Sequence, residues 1–542
     1  MIKNSKHRKY VRAFLDNGIN LVLLSVLTGL FAGVAVTFYN ILANIGEDTS
    51  AKLYQLIREN PAFFPLLLLG LASGGMVIGT LVRFVPMIRG SGIPQIEGAA
   101  RGVVRFKWYV TMCSMFAASL ACIFLGLSAG AEGPSLQMGG CAGDAVGAAL
   151  KRNKMTRRLQ IAAGSSAGLA VAFNAPVTGL VFAMEEAFRS FSPQVFISAA
   201  ISVVVALFTR NAIRLPLGYG VGFTFDTFVF SFSFDGQGFL FCLWTVLAAL
   251  IVSLAGVGFY YSVFAVKNVF KRITFFKGAG KYIIPFMLAG VFGIVTVYAM
   301  GGGHAFIEKL GTNGTGEISI EKIMGISVIA SLIIIVIFKF AASVMAMGCG
   351  VPCGVFIPML AIGAGLGAVL SILFRKAGMP AAYGDYLVII CMSVFFVTVV
   401  KAPVTGIVMV FELTGQFENF LPALLGIAVG YLVSMVFRTE PIYEKSLDGF
   451  IKEEKLYEKS VKVSVTVAVM SYSKAEGAQI RQIIWPTNGL VVKIEREGAI
   501  IVPDGETVIR AGDKLTFECE TDSREELLDY LYGIVGKPEK EG

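Results

Sequence analysis

The chain has 542 residues, of which 55% are hydrophobic and only 15% are charged, whereas soluble domains carry about a quarter charged residues. This composition excludes an ordinary soluble protein. The net charge of +9 is typical of basic loops beside a membrane and not of a nucleic-acid-binding protein.

The N-terminal half begins with a basic segment, residues 1–19, followed by a long apolar stretch over residues 20–45. That stretch is too long for a signal peptide, so we predict a retained first helix with its N-terminus in the cytoplasm. A second apolar stretch covers residues 64–82, and a spanning helix needs about 20 such residues. Basic segments at 151–158 and 266–281 indicate further cytoplasmic loops. The sequence therefore predicts a helical protein with several membrane spans.

Three segments rich in Gly and Pro interrupt the apolar stretches and predict helix starts. They are GSGIPQIEG (90–98), GAEGPSLQMGG (130–140) and GVFIPML (354–360). Helix N-termini carry unpaired N–H groups and partial positive charge, so three of them together would bind a small anion without a full cation. Ser91 offers a hydroxyl to the same site. Taken singly, each segment is equally compatible with a tight turn or with close helix packing.

Two carboxylate positions have both a structural and a functional interpretation. Glu132 is either a helix-start residue facing water or a side chain that competes with the anion for the same amides. In the second case the carboxylate occupies the site when ionised and leaves it when protonated, which would couple an anion to a proton. Glu185 and Glu186 are either interfacial charges that pair with Arg189 or a point of proton entry from the cytoplasm.

An internal repeat divides the membrane part into two related halves, about 20–210 and 237–450. The motif APVTG starts at Ala175 and again at Ala402, 227 residues further on. Glu412 is the counterpart of the Glu185–Glu186 pair, and we predict that it is a structural carboxylate that accepts hydrogen bonds from backbone amides. Paired broken segments in two halves point to a transporter's binding site. The repeat by itself leaves open whether the halves are parallel or inverted.

The apolar pattern ends near residue 438, and residues 461–536 predict a small α/β domain. The segment VKVSVTVAVM alternates as a strand, and GLVVKIEREGAIIV predicts a hairpin that turns at Glu497 and Gly498. A final helix follows, with Thr521, Asp522 or Ser523 as its cap. The eight cysteines are scattered, and the pair Cys349 and Cys353 lacks the second pair of a zinc site. We therefore expect neither a metal nor a cofactor.

The ordered set of motifs resembles the CLC family of chloride channels and proton-coupled chloride transporters. The set is GSGIP at 90–94, GxEGP at 130–134, GxFxP at 354–358 and a tyrosine after the last span, Tyr443, and the resemblance covers about residues 20–447. It implies an all-α, inverted-repeat bundle with short and broken helices, working as a homodimer among membrane lipids. It also implies that Ser91 and Tyr443 bind chloride together with the backbone at Gly354, Val355 and Phe356. Glu132 would be the external gate and Glu186 the internal proton-transfer residue.

The chain departs from its relatives in two places. Many relatives carry Lys or Arg before the gating glutamate, where this chain has Ala131, so a weaker attraction for anions is expected. The C-terminal segment resembles a TrkA-C domain instead of the paired domains of many eukaryotic relatives. That resemblance implies a prokaryotic inner-membrane protein with both termini in the cytoplasm and regulation by a small ligand or a dimer contact; a passive assembly role is the alternative. The expected limits are 1–19 for the N-terminal segment, 20–452 for the transport domain and 457–537 for the regulatory domain.

The sequence thus predicts chloride/proton antiport, with three alternatives. The first is a passive voltage- or ligand-gated chloride channel of the same fold, and the second is transport of another anion such as fluoride. The third is a cation-coupled solute symporter with a TrkA-C domain, which would leave the ordered motif set unexplained. An enzyme is not expected, since no nucleophile–base set and no nucleotide-binding loop is evident.

Overall fold

The fold is given by a computed structural model. The model describes residues 2–188, 193–219, 238–273, 278–310, 327–414, 420–454, 461–483, 485, 489–521 and 524–536.

Helices of very different length form the membrane part. The helices of the first half are α1 (Ile2–Glu59), α2 (Phe64–Phe84), α3 (Ile93–Arg101), α4 (Trp108–Phe124), α5 (Glu132–Ala149), α6 (Lys154–Phe173), α7 (Pro176–Phe182) and α8 (Pro193–Arg214). Those of the second half are α9 (Gly238–Arg272), α10 (Ile283–Val295), α11 (His304–Leu310), α12 (Val328–Cys349), α13 (Phe356–Lys376), α14 (Gly384–Val400), α15 (Pro403–Thr414), α16 (Phe420–Val436) and α17 (Ile442–Glu453). A single π-helical turn, Ala183–Phe188, continues α7.

Seven helices within the described ranges are long and apolar enough to cross a membrane. Four shorter apolar helices accompany them, and every residue of α14 is buried. A helix that is buried and apolar all round belongs in the centre of a membrane bundle. The predicted multi-span helical architecture with short and broken helices is therefore confirmed.

Glycines allow the helices around the three Gly/Pro segments to pack closely. A Cβ on Gly139 of α5 would overlap the carbonyl of Gly164 of α6, and the reverse overlap occurs for a Cβ on Gly164. Such contacts between backbones are how small residues hold membrane helices together.

The C-terminal domain is a four-stranded antiparallel sheet with one helix. The sheet order is β1-β4-β2-β3, and the elements are β1 (Val461–Ala468), β2 (Gly489–Arg496), β3 (Ala499–Ile501), β4 (Lys514–Thr521) and α18 (Arg524–Val535). The predicted strand, hairpin and final helix are confirmed, with Glu497 and Gly498 in the left-handed region at the turn. Two of the expected caps, residues 522 and 523, lie outside the described residues.

One arginine joins this domain to the membrane part. The guanidinium of Arg158, in α6, lies 4.8 Å from the ring centre of Tyr530 in α18. Its Nη2 also donates to the carbonyl of Gly102 at 3.3 Å, and Gly102 is the C-cap of α3. The C-terminal domain is therefore linked through Arg158 to the helix that follows Ser91.

Candidate functional site

Backbone hydrogen bonds hold the three Gly/Pro segments together. Gly130 and Gly354 exchange both N–H···O=C bonds, at 2.7 and 2.8 Å. Gly90 donates to the carbonyl of Gly350 at 3.1 Å and accepts from Cys353 at 3.2 Å. Segments that are far apart in the sequence, from both halves of the chain, thus meet at one point.

Each of these segments opens a helix at that point. Helices α3, α5 and α13 begin at Ile93, Glu132 and Phe356, and Pro94, Pro134 and Pro358 lie in their first turns. The close approach depends on glycine: a Cβ on Gly133 would lie 2.6 Å from the carbonyl oxygen of Ser91 and 3.1 Å from Cα of Gly354. Unpaired amides and the positive ends of three helix dipoles are therefore gathered in one place, which favours a small anion.

The two predicted hydroxyl ligands are buried beside these helix starts. Ser91 is 4% exposed and Tyr443, in the first turn of α17, is fully buried. The Oη of Tyr443 has no hydrogen-bond partner within the described part of the chain. Its ring contacts Phe182, with centroids 6.3 Å apart, and Phe182 in turn contacts Phe356 at 5.7 Å. An aromatic wall thus fixes a phenol whose donor is free for an anion.

The carboxylate of Glu132 folds back toward the Gly130–Gly354 pair. The residue is 2% exposed, and its Oε2 lies where a Cβ on Gly130 would stand. That oxygen has no hydrogen-bond partner in the described residues, while Oε1 lies 3.7 Å from Nε2 of His304. The structure therefore places this buried carboxylate beside the paired segments at the start of α5.

Cationic and acidic groups that sequence reasoning missed surround Glu132. Lys339, fully buried in α12, donates from Nζ to the carbonyls of Met300 and Gly301 at 2.8 and 2.6 Å. Glu47 of α1 accepts from the N–H of Gly302 at 2.8 Å. A lysine inside an apolar helix is a functional signal in its own right, and this signal could have revealed Lys339 in the sequence.

The expectation drawn from Ala131 is therefore incomplete. Ala131 carries no charge, but His304 lies beside the carboxylate of Glu132, and Lys339 interacts electrostatically with that carboxylate. The positive charge on this side of the site therefore comes from Lys339 of α12, with the imidazole of α11 nearby, instead of from the residue before Glu132.

The adjacent residues Glu185 and Glu186 lie in different surroundings. Glu185 accepts hydrogen bonds from the N–H groups of Val404 and Thr405 at 3.0 and 2.7 Å, and the suggested partner Arg189 lies outside the described residues. Glu186 is 2% exposed in the π-helical turn, a feature that is frequent at functional sites. Its backbone carbonyl accepts from Arg101 at 3.2 Å, so this residue lies near the C-terminal end of α3.

A cavity of about 270 Å³ leads to Ser91 from the side of α17. Its charged lining is mostly basic and comprises Arg89, Lys267, Lys271 and Lys281 together with the single carboxylate Glu453. A cleft with one sign of charge concentrates counter-ions. The cavity therefore places basic side chains beside Ser91, where they favour an anion.

Comparison with known proteins identifies the family. Residues 74–435 match the family model described as voltage gated chloride channel. The chain belongs to this family, the CLC family. Residues 465–532 match the TrkA-C domain, so the CLC part and its C-terminal extension both carry the folds that their motifs predict.

Similar proteins include named exchangers. The H(+)/Cl(−) exchange transporter ClcA of Vibrio cholerae is 27% identical over 460 residues, which is 82% of this chain and 92% of that protein. ClcA of Yersinia pestis is 26% identical over 468 residues, 82% of this chain and 91% of that protein.

Solved structures share the CLC fold. A slow cyanobacterial Cl−/H+ antiporter matches with a TM-score of 0.70 and 24% identity, covering 80% of this chain and 99% of that one. A CLC-type fluoride/proton antiporter matches with a TM-score of 0.62 and 21% identity, covering 77% of this chain and 96% of that one.

Proposed function

We propose that this CLC protein exchanges chloride for protons across a prokaryotic inner membrane. The observation that carries the proposal is the buried carboxylate of Glu132, which begins α5 and folds onto the Gly130–Gly354 pair. A passive pathway does not need an ionisable group at this point, whereas an exchanger needs one that both blocks the anion and carries the proton. The relatives named as H(+)/Cl(−) exchange transporters support the same activity.

In this proposal the central chloride is bound by hydroxyls and backbone. Ser91 and Tyr443 donate their hydroxyl hydrogens, and the backbone of Val355 and Phe356 supplies N–H groups at the start of α13. The N–H of Gly354, which the sequence also suggested as a ligand, donates to the carbonyl of Gly130 at 2.8 Å, so Gly354 contributes by holding the two segments together. The unpartnered Oη of Tyr443 supports this role. Neutral donors suit transport because an ion must be bound weakly enough to leave again.

Glu132 is the external gate, and Glu186 passes protons to and from the cytoplasmic side. Ionised, Glu132 occupies the anion position; protonated, it is released and chloride enters. Tyr443 interacts electrostatically with both Glu132 and Glu186, which supports a central site that lies between the two carboxylates. The proposed proton path and chloride path therefore meet at the central site.

The assembly follows from the same proposal. The chain works as a homodimer in membrane lipid, with the N-terminal segment 1–19 and the C-terminal domain in the cytoplasm. The transport domain covers residues 20–452, in two related halves at about 20–210 and 237–450. The TrkA-C domain, residues 457–537, regulates transport in response to a small ligand. Transport needs no catalytic chemistry and no cofactor.

The test uses purified protein in chloride-loaded liposomes with the voltage held at zero. We expect chloride leaving down its gradient to drive protons inward against theirs, seen as a rise of external pH. Glu132→Gln and Glu186→Gln should keep chloride flux and lose proton movement. Glu440→Gln, an exposed carboxylate on the same chain, is the matched control and should behave as the wild type.

Each other outcome points to another function. Chloride flux without proton movement in the wild type would make the protein a passive channel and overturn the antiport proposal. If chloride does not move, the same assay with fluoride tests the anion instead.

A further inference from the structure

His304 lies between the gating carboxylate and solvent. Its imidazole is 44% exposed, whereas the side chain of Glu132 is 3% exposed, and Nε2 of the first lies 3.7 Å from Oε1 of the second. The described structure thus places a titratable ring with one side toward water and the other toward a buried carboxylate.

The loop before His304 fixes the ring in this position. Gly301 and Gly303 are in the left-handed region, at φ +57° and +108°, and Gly303 accepts the first backbone hydrogen bonds of α11. Lys339 and Glu47 hold the same loop through the carbonyl of Gly301 and the N–H of Gly302. His304 is therefore held by a rigid turn anchored on α1 and α12.

The charges that face the imidazole come from four elements. Partial burial of the ring disfavours its protonated form, and Glu132 of α5, Glu47 of α1 and Glu308 of α11 favour it. Lys339 of α12 lies beside Gly303 and opposes that form, with its Nζ 3.4 Å from the position of a Cβ there. The other helix packed on α11 is α13, which presents apolar Ala361 to the loop. Three acidic groups thus favour a proton on His304, and one cation limits this preference.

We propose that His304 carries protons between the outside solution and Glu132. The step rests on the proposed chloride/proton exchange. In the inward direction, the Nε2–H bond of the imidazolium breaks and an O–H bond forms on Oε1 of Glu132. The products are neutral imidazole and a carboxylic acid, and the imidazole then takes a proton from outside water. The reverse sequence returns a proton to the outside.

The geometry requires only a small adjustment for this transfer. A hydrogen bond between nitrogen and oxygen has a length of about 2.9 Å, so a shift of about 1 Å, or one bridging water, closes the present 3.7 Å separation. A histidine is suited to the task because its ordinary pKa is near 6.5, within the range where both forms are populated.

A different role would give a different result. His304 could instead only pair with ionised Glu132 and hold that carboxylate in place. Removing His304 would then change how often Glu132 occupies the anion position, but it would not change the route of the proton. Rescue by a small external proton carrier separates these roles, because imidazole can replace a proton donor and cannot replace a positioned ion pair.

The experiment compares the wild type with His304→Ala and His304→Gln in membranes adsorbed on a sensor. The current after a chloride concentration jump is recorded with equal pH on both sides, over a series of pH values. Positioned acid–base groups contribute about 10²-fold or more. Water also reaches this site and can replace part of the lost proton transfer. We therefore expect the turnover of both variants to fall by about tenfold, which is less than the full contribution of a positioned group. Imidazole should restore much of the loss in His304→Ala, and a bulky buffer at equal buffering capacity should not.

Lys309→Gln is the matched control, since it removes a charge from the exposed face of the same short helix. It should keep the wild-type turnover and pH profile. Unchanged turnover and pH profile in His304→Ala and His304→Gln would overturn the proposal, and so would a loss that imidazole does not restore. A wild type that moves chloride without protons would instead overturn the proposed function, so the two failures are distinguishable.

Discussion

Glu185 and Glu412 each cap a helix in the other half of the protein. Each carboxylate accepts the two backbone N–H groups that follow the proline of the other APVTG motif: Val404 and Thr405 at 3.0 and 2.7 Å, and Val177 and Thr178 at 2.7 and 2.6 Å. The two glutamates are 227 residues apart, as are the motifs. Because each glutamate lies downstream of its own motif and reaches the start of the other helix, α7 and α15 run antiparallel. The antiparallel arrangement shows that the two halves are inverted. The repeat alone left open whether they are parallel or inverted.

Replacing either cap should destabilise the membrane part. In Glu412→Gln, one oxygen remains to accept the two N–H groups, and the charge that strengthens both bonds is lost. Hydrogen bonds to a charged group contribute about 1.5–3 kcal/mol, so we expect about 2 kcal/mol of lost stability and a lower unfolding temperature in detergent. Glu185→Gln should behave alike, and Glu440→Gln, at the surface, should not. If only one of the two substitutions lowered the unfolding temperature, the two caps would not contribute equally to stability.

Gly354→Ala should disrupt the anion site. The new Cβ would lie 2.6 Å from the carbonyl oxygen of Gly130 and 2.9 Å from the nitrogen of Gly133. Both are backbone atoms, so relief requires the Gly130–Gly354 pair to separate. We expect chloride binding measured by calorimetry to weaken by at least tenfold, about 1.4 kcal/mol.

Gly258→Ala is the control for this substitution, because a Cβ there meets nothing within 4 Å. It adds a methyl group to α9 and should leave chloride binding unchanged. Unaltered binding in Gly354→Ala would mean that the contact between the two halves is not part of the anion site.

The sequence predicted the backbone of the site better than its outer charges. Pro94, Pro134 and Pro358 mark helix starts because proline is favoured in a first turn, and this local rule does not depend on tertiary structure. The pairing of Glu132 with His304 joins residues 172 positions apart and has no local signal. A lone histidine in GGGH carried no indication of its partner.

The two adjacent glutamates show a second limit. Glu185 caps α15, whereas Glu186 is buried beside α3. Neighbouring residues on a helix differ by about 100° in direction, and the π-helical turn alters the register further. The sequence alone therefore cannot assign one role to each residue of the pair. The arrangement of the halves likewise depended on contacts between them.

The buried pair of Arg496 and Asp513 should make the TrkA-C domain sensitive to acid. Both carboxylate oxygens of Asp513 accept from the guanidinium at 2.8 Å. Burial alone would raise the pKa of Asp513, but the bonds from Arg496 and from the N–H of Arg510 outweigh it, so the pKa lies below its usual value. A lowered pKa adds stability above the unfolded value of about 3.9, and this stability is lost as pH falls through the folded pKa.

We expect Asp513→Asn to cost the domain about 2 kcal/mol at neutral pH, somewhat less than for a fully buried pair because the arginine is partly exposed. The difference from the wild type should shrink below about pH 4. Pulse proteolysis of the full chain at several pH values measures this difference in stability between Asp513→Asn and the wild type. Glu497→Gln, which changes an exposed carboxylate at the hairpin turn of the same domain, is the control. A deficit of Asp513→Asn that is equal at pH 7 and pH 3 would contradict the assigned role of the ionised carboxylate.

Glu453 should limit chloride entry from the cavity on the α17 side. Its carboxylate lies 2.7 Å from Lys271, 2.8 Å from Arg89 and 3.4 Å from Lys267. Burial alone would raise the pKa of Glu453, but these cations outweigh it and hold the pKa below its usual value. The side chain is therefore ionised at neutral pH and offsets part of the positive charge.

Glu453→Gln should increase the rate of chloride uptake from this side. One charge at about 8 Å in water contributes about 0.5 kcal/mol, which corresponds to a change of about twofold. The effect should fade at high ionic strength, where charges are screened. Asp448→Asn removes the same charge from an exposed position of α17 and should have little effect. A slower uptake in Glu453→Gln, or one that is independent of salt, would contradict an electrostatic role.

The contact between Arg158 and Tyr530 should couple the C-terminal domain to the anion site. Arg158 touches Tyr530 and also the carbonyl of Gly102, and α3 runs from Gly102 back to the segment that carries Ser91. Tyr530→Leu removes the cation–π contact, worth about 0.5–1 kcal/mol. A contact can shift an equilibrium by no more than its own differential energy. The chloride concentration for half-maximal flux should therefore change by up to about fivefold. Tyr530→Phe keeps the ring but removes the hydroxyl, which also interacts with Arg158, so its shift should be smaller than that of Tyr530→Leu. An unchanged value in Tyr530→Leu would contradict the coupling.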